Sequence, residues 1–477
     1  MTEQALVDFR ANFAKALNDK QLRRNLTKAM DSLRLKRKAV FADKEALERL
    51  RSVGNAIRRR SLSKLPELLE KLEKKCTENG IQVHWAETKA EANQVFLDII
   101  RRHQASRVIK GKSMVSEETH LNHFLEEQGV EVLETDLGEY IIQLDHETPS
   151  HIIVPAIHKN RDQIAHLFHE KIPDTPYTEV IEELNAIARK TLRQKFFAGE
   201  IGVSGVNFAV AETGTLCLVE NEGNGRMCTT VPPVHIAIMG LEKVVEKLED
   251  VPPLLRLLTG SATGQMITTY FNMITSPRKP GEKDGPREVH LVILDNGRSN
   301  ILADPELRQT LQCIRCGACL NHCPVYTRLG GHAYGYVYPG PIGSILTPQL
   351  EGLQNAGTMA FASTLCGACA EVCPVKIPLT DILRLLRNKS YDTQDSPTAV
   401  EGHGYKKNVS EDLAWKGWTA MNTHPAFNTL STRMLGLIGV HLPRVGPLKG
   451  WTSVRTAPKF AKKSLHQLAK ERGLSDE

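Results

Sequence analysis

Several features are scarce or missing in this 477-residue chain. Aromatic residues make up only 5% of it, which argues against a wide surface for stacking nucleic-acid bases. No apolar run approaches the ~18 residues that cross a bilayer, since the longest, Met434–Pro443, is too short. The N-terminal stretch is charged throughout and lacks the apolar segment of a secretory signal. These absences predict a cytoplasmic chain without a transmembrane segment, in a compartment where disulfides are rare.

Cysteine is the residue whose distribution stands out. Seven of the ten cysteines fall in two groups, "CIRCGACLNHCP" and "CGACAEVCP". The first group has the spacing C-x2-C-x2-C-x3-C-P, which is typical of ferredoxins with two clusters, where the fourth cysteine binds the other cluster. Structural zinc sites instead use two separated C-x2-C pairs. The pattern therefore predicts two iron–sulfur clusters close together, which suits single-electron conduction.

Aligning the two copies places Ser363 opposite Cys313, so the second copy has one thiol fewer. With crossed ligation, the predicted ligands are Cys313, Cys316, Cys319 and Cys373 for one cluster, and Cys323, Cys366 and Cys369 for the other. Four explanations for the missing ligand stay open. Ser363 could bind as an alkoxide, or Cys217 or Cys228 could supply a thiolate. The cluster could hold three irons, or its fourth iron could stay open to water or a substrate oxygen.

The chain divides into four predicted parts. Short β-branched runs alternate with charged helical stretches in the second part, which indicates an α/β domain with a largely parallel sheet. The strands are predicted within 106–114, 140–144, 151–157, 206–219, 234–240 and 288–295. The parts are a basic helical segment (1–75), the α/β domain (76–300), a helical ferredoxin-like domain (301–390) and a C-terminal segment with a basic tail (391–477). The tail could dock on a partner or an anionic membrane surface, or be a solvated terminus.

Three other segments are candidates for binding. The basic run Arg58–Arg60 is expected to be a solvated helix face, with contact to a phosphate or acidic partner as the alternative. In "KGKSM", Lys112 and backbone N–H groups could hold an anion. In "AETGTLCLVENEGNGR", the polar candidates are Glu212, Asn224 and Arg226, although glycines there could simply permit tight turns.

Side chains near the cysteines could tune or cover the clusters. Arg315 and Lys376 could offset cluster charge, with surface exposure as the alternative. His332, in the segment between the groups, could carry a proton or bind a carboxylate. Tyr334, Tyr336 and Tyr338 are expected to pack a loop over the clusters.

Over at least two-thirds of its length, the chain closely resembles the lactate utilization protein B family. The stretches that carry the resemblance are "VIKGKSM", "ETDLGEYIIQL", "PSHIIVPAIHK", "VNFAVAETGT", "NEGNGR", "DNGRS", "CIRCGACLNHCPVY", "GGHAYGYVYPGPIGSILTP" and "CGACAEVCPVKIP". The resemblance implies an α/β LUD domain similar to sugar-isomerase and CoA-transferase folds, a two-cluster domain and a family-specific C-terminal segment. It also implies the same seven cysteine ligands for two [4Fe–4S] clusters, so that Ser363 is a family trait.

The resemblance further implies an electron-transfer subunit of a three-protein complex that oxidises L-lactate to pyruvate and passes electrons toward the respiratory chain. The other members would be a subunit with a cysteine-rich domain and a smaller LUD-domain protein, with an unidentified electron acceptor. No flavin or nicotinamide motif is present, so hydride chemistry is expected elsewhere and the chain is expected to be a non-autonomous subunit. It could also lie peripherally on the inner face of the cell membrane.

Two other classes of function compete with this hypothesis. The chain could be an autonomous 2-hydroxy-acid enzyme that uses an open iron of the second cluster. It could instead be a regulatory iron–sulfur protein that binds nucleic acid through its basic ends, which steeply salt-dependent DNA binding would support. The low aromatic content and the lack of a helix-turn-helix pattern argue against nucleic acid.

Overall fold

The structure is a computed structural model that describes residues 9–392, 409–438, 461, 463 and 465–473. The chain divides into two compact units, Met1–His403 and Gly404–Glu477. In the second unit, the described helices are α20 (Val409–Thr423), α21 (Pro425–Ile438) and α22 (Leu465–Glu471). Most of the predicted C-terminal segment, including residues 439–460 of its tail region, lies outside the described residues.

A six-stranded parallel sheet forms the centre of the first unit. Its order is β1-β10-β7-β4-β2-β3, and every neighbouring pair is parallel. Its strands are β1 (Ile81–Ala86), β2 (Arg107–Lys110), β3 (Glu131–Glu134), β4 (Ile201–Gly205), β7 (Val234–Gly240) and β10 (Glu288–Leu294). All seven residues of β7 are buried, as expected for a strand covered on both faces. The predicted parallel α/β sheet is confirmed.

The side on which new strands join the sheet changes at β2. After β2, the chain adds β3 on one side and then returns to place β4, β7 and β10 on the other. Ligands of open α/β sheets bind at such a reversal, outside the carboxyl ends of the strands.

A smaller sheet packs beside this region. It has the order β8-β5-β6-β9, with β5 parallel to β8 and the remaining pairs antiparallel. Its strands are β5 (Phe208–Val210), β6 (Thr215–Glu220), β8 (Val244–Val245) and β9 (Tyr270–Ile274). This sheet holds the loop between β6 and β7, which contains "NEGNGR".

Two predicted strands were wrong. Residues 140–144 belong to α8 (Leu137–Leu144), because Asp136 accepts hydrogen bonds from Gly138 N and Glu139 N and so caps a helix start. Residues 151–157 form turns, since His151 Nδ1 accepts the N–H groups of Ile153 and Val154 at 2.9 and 3.1 Å. Pro155 also lacks the N–H that a ladder would need.

Helices surround the sheet and build the remainder of the unit. Pro66 lies in the first turn of one of them, where its missing N–H costs no helical hydrogen bond. The helices are α1 (Phe9–Asn18), α2 (Lys20–Val40), α3 (Lys44–Ser63), α4 (Leu65–Glu78), α5 (Lys89–Arg102), α6 (Met114–Glu118), α7 (Leu121–Glu127), α8 (Leu137–Leu144), α9 (Arg161–Lys171), α10 (Ile181–Ala198), α11 (Asn224–Cys228), α12 (Val251–Ala262), α13 (Arg298–Ala303), α14 (Ala318–His322), α15 (Tyr326–Leu329), α16 (Gly340–Leu350), α17 (Leu353–Ala356), α18 (Ala368–Val372) and α19 (Leu379–Asp392).

One hydrophobic core crosses three of the four predicted parts. Met30 of α2, Leu254 of α12 and Ile345 of α16 are each completely buried within it. The N-terminal helices therefore pack directly on the cysteine region. Within the described part of the chain, no helix is both long and apolar enough to cross a membrane.

Candidate metal centre

The two cysteine loops have the same local backbone. Arg315 and Leu365, each just before a cysteine, adopt φ angles of +59° and +54°, in the left-handed region. Gly317 and Gly367, two residues later, adopt φ angles of +71° and +84° and begin α14 and α18. Positive φ is uncommon for residues other than glycine, so its repetition shows that the two loops share one conformation.

This shared backbone places the Ser363 hydroxyl in the position of the missing thiol. In the first loop, Arg315 N donates a hydrogen bond to Cys313 Sγ at 3.3 Å. In the second, Leu365 N donates to Ser363 Oγ at 3.1 Å. The Arg387 guanidinium holds the Ser363 carbonyl at 2.7 Å. The sequence alignment of Ser363 with Cys313 therefore has a structural counterpart.

Four cysteines line one small cavity, with a volume of about 20 Å³. Three come from the first group and the fourth from the second; they are Cys313, Cys316, Cys319 and Cys373. The wall is otherwise mainly apolar, with Ile152, Ile342 and Leu379 among its residues. The structure thus brings together the four thiols predicted for one cluster.

The other three thiols form a second neighbourhood. Burial raises the pKa values of Cys369 and Cys323, and the thiol charges add to this, from Cys323 and Cys366 on Cys369 and from Cys366 on Cys323. Cys323 and Cys369 are each only 6% exposed, whereas Cys366 is exposed. The second site is therefore open to solvent on the side of Cys366.

The thiol spacing fits a cluster better than a single zinc ion. Around zinc, bonds of about 2.3 Å put tetrahedral sulfurs roughly 3.8 Å apart. Among the described residues, no three cysteine sulfurs lie within 4.8 Å of one another; the grouping that meets this limit is His103, Glu288 and His290. In an iron–sulfur cluster each thiolate binds a different iron, so wider spacing is expected.

Burial also shapes the chemistry of these thiols. It raises the pKa of Cys373 to about 11 and of Cys369 to about 12, with a contribution from neighbouring thiolates. Iron ions would offset this repulsion and favour the thiolates, so loading the sites releases protons. Backbone N–H groups assist, since Ile377 N donates to Cys373 Sγ at 3.3 Å and Tyr326 N to Cys323 Sγ at 3.4 Å.

The two alternative thiol ligands are engaged elsewhere. Cys217 lies on β6, where burial alone raises its pKa to about 12. The Cys228 thiol lies 3.3 Å from Thr135 Oγ1, and the charged groups acting on it are Glu220, Glu134 and Lys110. Neither thiol is under the influence of a cysteine of the two groups.

The N-terminal helices hold the cysteine loops through polar side chains. Arg58, expected on a solvated face, is only 1% exposed, and this expectation was wrong. It donates to the carbonyls of Gln312 and Leu311, directly before the first cysteine, at 3.2 and 3.0 Å. Arg51 Nε donates to the Cys373 carbonyl at 3.0 Å. Local sequence could not reveal this role of Arg58, because the Gln312 and Leu311 carbonyls lie more than 250 residues away along the chain.

A buried ionic network lies against the first loop. Arg315 is 8% exposed and pairs with Glu242 at 3.1 Å, and Arg298 pairs with the same carboxylate at 2.7 Å. Burial alone would raise the pKa of Glu242, but Arg298 and Arg315 lower it to about 2. The Arg315 guanidinium also lies 5.1 Å from the centre of the Tyr338 ring. Arg315 is therefore a buried cation beside the first site, whereas Lys376 is on the surface, paired with Glu48 at 2.6 Å.

The segment between the cysteine groups combines packing with hydrogen bonding. Tyr334 is completely buried, which raises its pKa, and charges on Cys323 and Cys319 raise the pKa further, so it packs near both sites. Tyr338 donates to Glu118 at 2.7 Å, and Tyr336 donates to the Asn355 carbonyl at 3.0 Å. His332 Nε2 lies 2.6 Å from the Thr148 carbonyl oxygen. No proton-carrying role of His332 follows from this arrangement.

The two candidate anion loops differ from expectation. Lys112 pairs with the buried Glu139 at 2.8 Å, so its charge is already compensated. Arg226 stacks over Tyr270, and Glu212 accepts from Leu248 N at 3.1 Å in a different part of the unit. Asn224 lines a cavity together with residues of "KGKSM". The two loops therefore meet at one cavity, which Lys112 and Asn224 line as predicted candidates, whereas Glu212 and Arg226 do not line it.

Three known families match successive parts of the chain. Residues 69–294 match the LUD domain, and residues 309–377 match the 4Fe-4S dicluster domain. Residues 385–474 match the C-terminal family of lactate utilisation protein B. The cysteine region is thus similar to domains that hold 4Fe–4S clusters.

Relatives that align over most of their length support the same family. "Lactate utilization protein B" of Bacillus subtilis (strain 168) is 43% identical over 411 residues, covering 86% of this chain and 83% of that protein. The "Uncharacterized electron transport protein YkgF" of Escherichia coli (strain K12) is 43% identical over 422 residues, covering 88% and 85%. A solved structure of a DUF162 family protein from Deinococcus radiodurans covers 48% of this chain and 98% of its own, at 14% identity; its TM-score of 0.28 is too low to show a shared fold.

Proposed function

The chain belongs to the lactate utilization protein B family, and we propose that it is the iron–sulfur electron-transfer subunit of a multi-protein complex that oxidises L-lactate to pyruvate. The observation that carries this proposal is the pair of adjoining thiol sites, one of them a cavity lined by four cysteines. The pKa of Cys319 is raised by burial and by charges on thiols of its own group and on Cys369 of the other group. This supports two sites close to each other.

We assign one [4Fe–4S] cluster to each site. The first would be held by Cys313, Cys316, Cys319 and Cys373, and the second by Cys323, Cys366 and Cys369. When bound, such clusters accept and donate single electrons. The contribution of the protein is to bury the first site, to direct backbone N–H groups at Cys313, Cys323 and Cys373, and to place Arg315 beside it.

The remaining parts of the proposal concern the assembly. We propose as partners a subunit with a cysteine-rich domain and a smaller LUD-domain subunit, with electrons passing onward toward the respiratory chain. We keep the four-part division of the chain and the likeness of its α/β domain to sugar-isomerase and CoA-transferase folds as predictions. Peripheral attachment to the inner face of the cell membrane also stays a prediction.

A second candidate is an autonomous 2-hydroxy-acid enzyme. It is favoured by the second site, where a hydroxyl replaces the fourth thiol and Cys366 is exposed. An iron with a free coordination position there could bind a substrate oxygen. A change in the spectrum of the isolated chain on addition of L-lactate, with no partner present, would support this candidate.

The first experiment is iron and sulfide analysis with electron paramagnetic resonance of protein purified without oxygen, before and after reduction by dithionite. We expect about eight irons per chain and two interacting signals in the reduced state. About seven irons and the signal of an oxidised three-iron cluster would assign an open second site. Zinc without iron would contradict both functions.

A further inference from the structure

A second cavity, with a volume of about 310 Å³, opens at the carboxyl ends of β2, β4 and β7. Ser113 lines it after β2, Asn207 after β4 and Lys243 after β7. It therefore lies at the chain reversal between β2 and β4, where open α/β sheets bind ligands. Its volume is at the lower end of the range of small-molecule sites.

Three cationic side chains line this cavity, namely Lys112, Lys243 and Arg315, and Lys112 pairs with Glu139 at 2.8 Å. Lys243 is only 7% exposed, and no hydrogen bond or ion pair joins its Nζ to a residue that the structure describes. Arg315 also lines the cavity, and its Nη1 is buried without a hydrogen-bond partner. A buried lysine charge without a partner is costly, and Arg315, although its Nη2 pairs with Glu242, keeps the Nη1 donor unused, so the two side chains favour an anion as a ligand.

The other charges of the cavity select the kind of anion. Asp136, Glu220 and Glu222 also line it and would repel a ligand of high negative charge. Glu220 is already occupied, since it accepts the N–H groups of Gly225 and Arg226 at 2.7 Å each. A singly charged carboxylate satisfies the two free donors at a smaller electrostatic cost than a phosphate.

The wall of the cavity is apolar on the side of the thiols. Ile152 lines both this cavity and the cavity of the four cysteines, so the two spaces are neighbours across one side chain. Ile153 and Val206 extend the apolar surface and suit the short hydrocarbon part of a small acid. Arg315 joins the two sites as well, because its backbone N–H bonds Cys313 Sγ at 3.3 Å.

We propose that this cavity binds a small 2-hydroxy or 2-oxo monocarboxylate, with the carboxylate on Lys243 Nζ and Arg315 Nη1 and the alkyl group against Ile152. The site would place the substrate or product of lactate oxidation in this chain, next to the first thiol site. The choice of ligand rests on the proposed function, whereas the anion site itself rests on the cavity and its unpartnered cations.

Calorimetric titration of the iron-loaded protein with pyruvate and with L-lactate tests the proposal. We expect one molecule of at least one of these acids to bind per chain, and Lys243→Met to weaken the binding about tenfold to a hundredfold, since it removes a charged hydrogen bond. Lys247→Met is the matched control, because Lys247 is exposed on the same segment and pairs with Glu249; its affinity should equal that of the wild type.

Wild-type protein provides a second readout that needs no variant. Pyruvate should slow the acylation of Lys243 by an amine reagent, followed by mass spectrometry, and leave the labelling of Lys247 unchanged. No binding of either acid, equal binding by Lys243→Met, or tighter binding of inorganic phosphate than of both acids would overturn the proposal. Iron content is measured on the same samples: about eight irons without acid binding would refute this site alone, and missing iron would refute the electron-transfer role.

Discussion

The two thiol sites have loops of one conformation in different surroundings. The first site has four thiols around one small cavity, with Arg58 and Arg315 buried around its loop. The second has three thiols, a serine hydroxyl in the fourth position and an exposed cysteine. The comparison indicates that a repeated motif sets the local geometry and its residues set the number of thiols, whereas the packing around each copy decides the access of solvent and the nearby charge.

The largest expected effect separates the two sites by removing one thiol. Cys316→Ala should eliminate the first cluster and lower the iron content from about eight to about four per chain, because Cys316 is buried and is one of the four cysteines that line the first cavity. Iron analysis and the loss of interaction between the two reduced signals would show this. Cys217→Ala is the control and should keep about eight irons; a loss of iron in this variant would instead make Cys217 a ligand.

Adding the missing thiol would make the two sites alike. In Ser363→Cys the new thiol would accept the Leu365 N–H, as Cys313 accepts that of Arg315. We expect the second cluster to lose iron in air severalfold more slowly than in the wild type, because four thiolates leave no iron exposed to oxygen. Ser363→Ala serves for comparison, and equal rates in wild type and Ser363→Cys would show that residue 363 does not face the cluster.

The charges near the two groups offer a third contrast. Arg315→Met should lower the reduction potential of the first cluster by tens of millivolts, since a buried cation stabilises the more negative reduced state. Lys376→Met should have a smaller effect, because the Lys376 side chain is 31% exposed and paired with Glu48. Redox titration followed by electron paramagnetic resonance measures both, and equal shifts would contradict the difference in burial.

The smallest expected effect is a pH dependence of stability that comes from His151, the residue before Ile152 of the first cavity. Burial lowers the pKa of His151 to about 3, and its Nδ1 must be unprotonated to accept the Ile153 and Val154 N–H groups. A histidine in the unfolded chain has a pKa of about 6.5, so below this pH the unfolded state binds more protons than the folded state. The free energy of unfolding is therefore highest above about pH 6.5 and decreases as the pH falls.

At pH 6.0 the contribution of His151 lowers the free energy of unfolding by about 0.8 kcal/mol relative to its value at high pH. Urea unfolding of wild type and His151→Gln at pH 7.5 and 6.0 measures it, and the variant should lack this part of the difference. The same pH dependence in both proteins would assign it to other groups, such as His235, whose pKa burial lowers to about 3 as well.

Sequence patterns predicted three of the six strands of the parallel sheet, β2, β7 and β10, and the two thiol groups. They missed β1, β3 and β4, and they failed where distant contacts decide. The apolar run of β7 and the cysteine spacings are local properties, so they could be read directly. "YIIQL" has the composition of a strand, but Asp136 caps it as a helix. Arg58 has the sequence context of a solvated helix face, but its partners are carbonyls of residues far along the chain.

By itself, the sequence determined the parallel sheet, the two cysteine loops and the correspondence of Ser363 with Cys313, because periodicity, spacing and repetition act over a few residues. Only the tertiary structure decided that Arg58 is buried against the first cysteine loop, that Cys366 faces solvent, and that Lys243 and Arg315 meet at the ends of β2, β4 and β7. The physical reason is that burial and charge compensation depend on which distant segments pack together, and no local pattern encodes that choice.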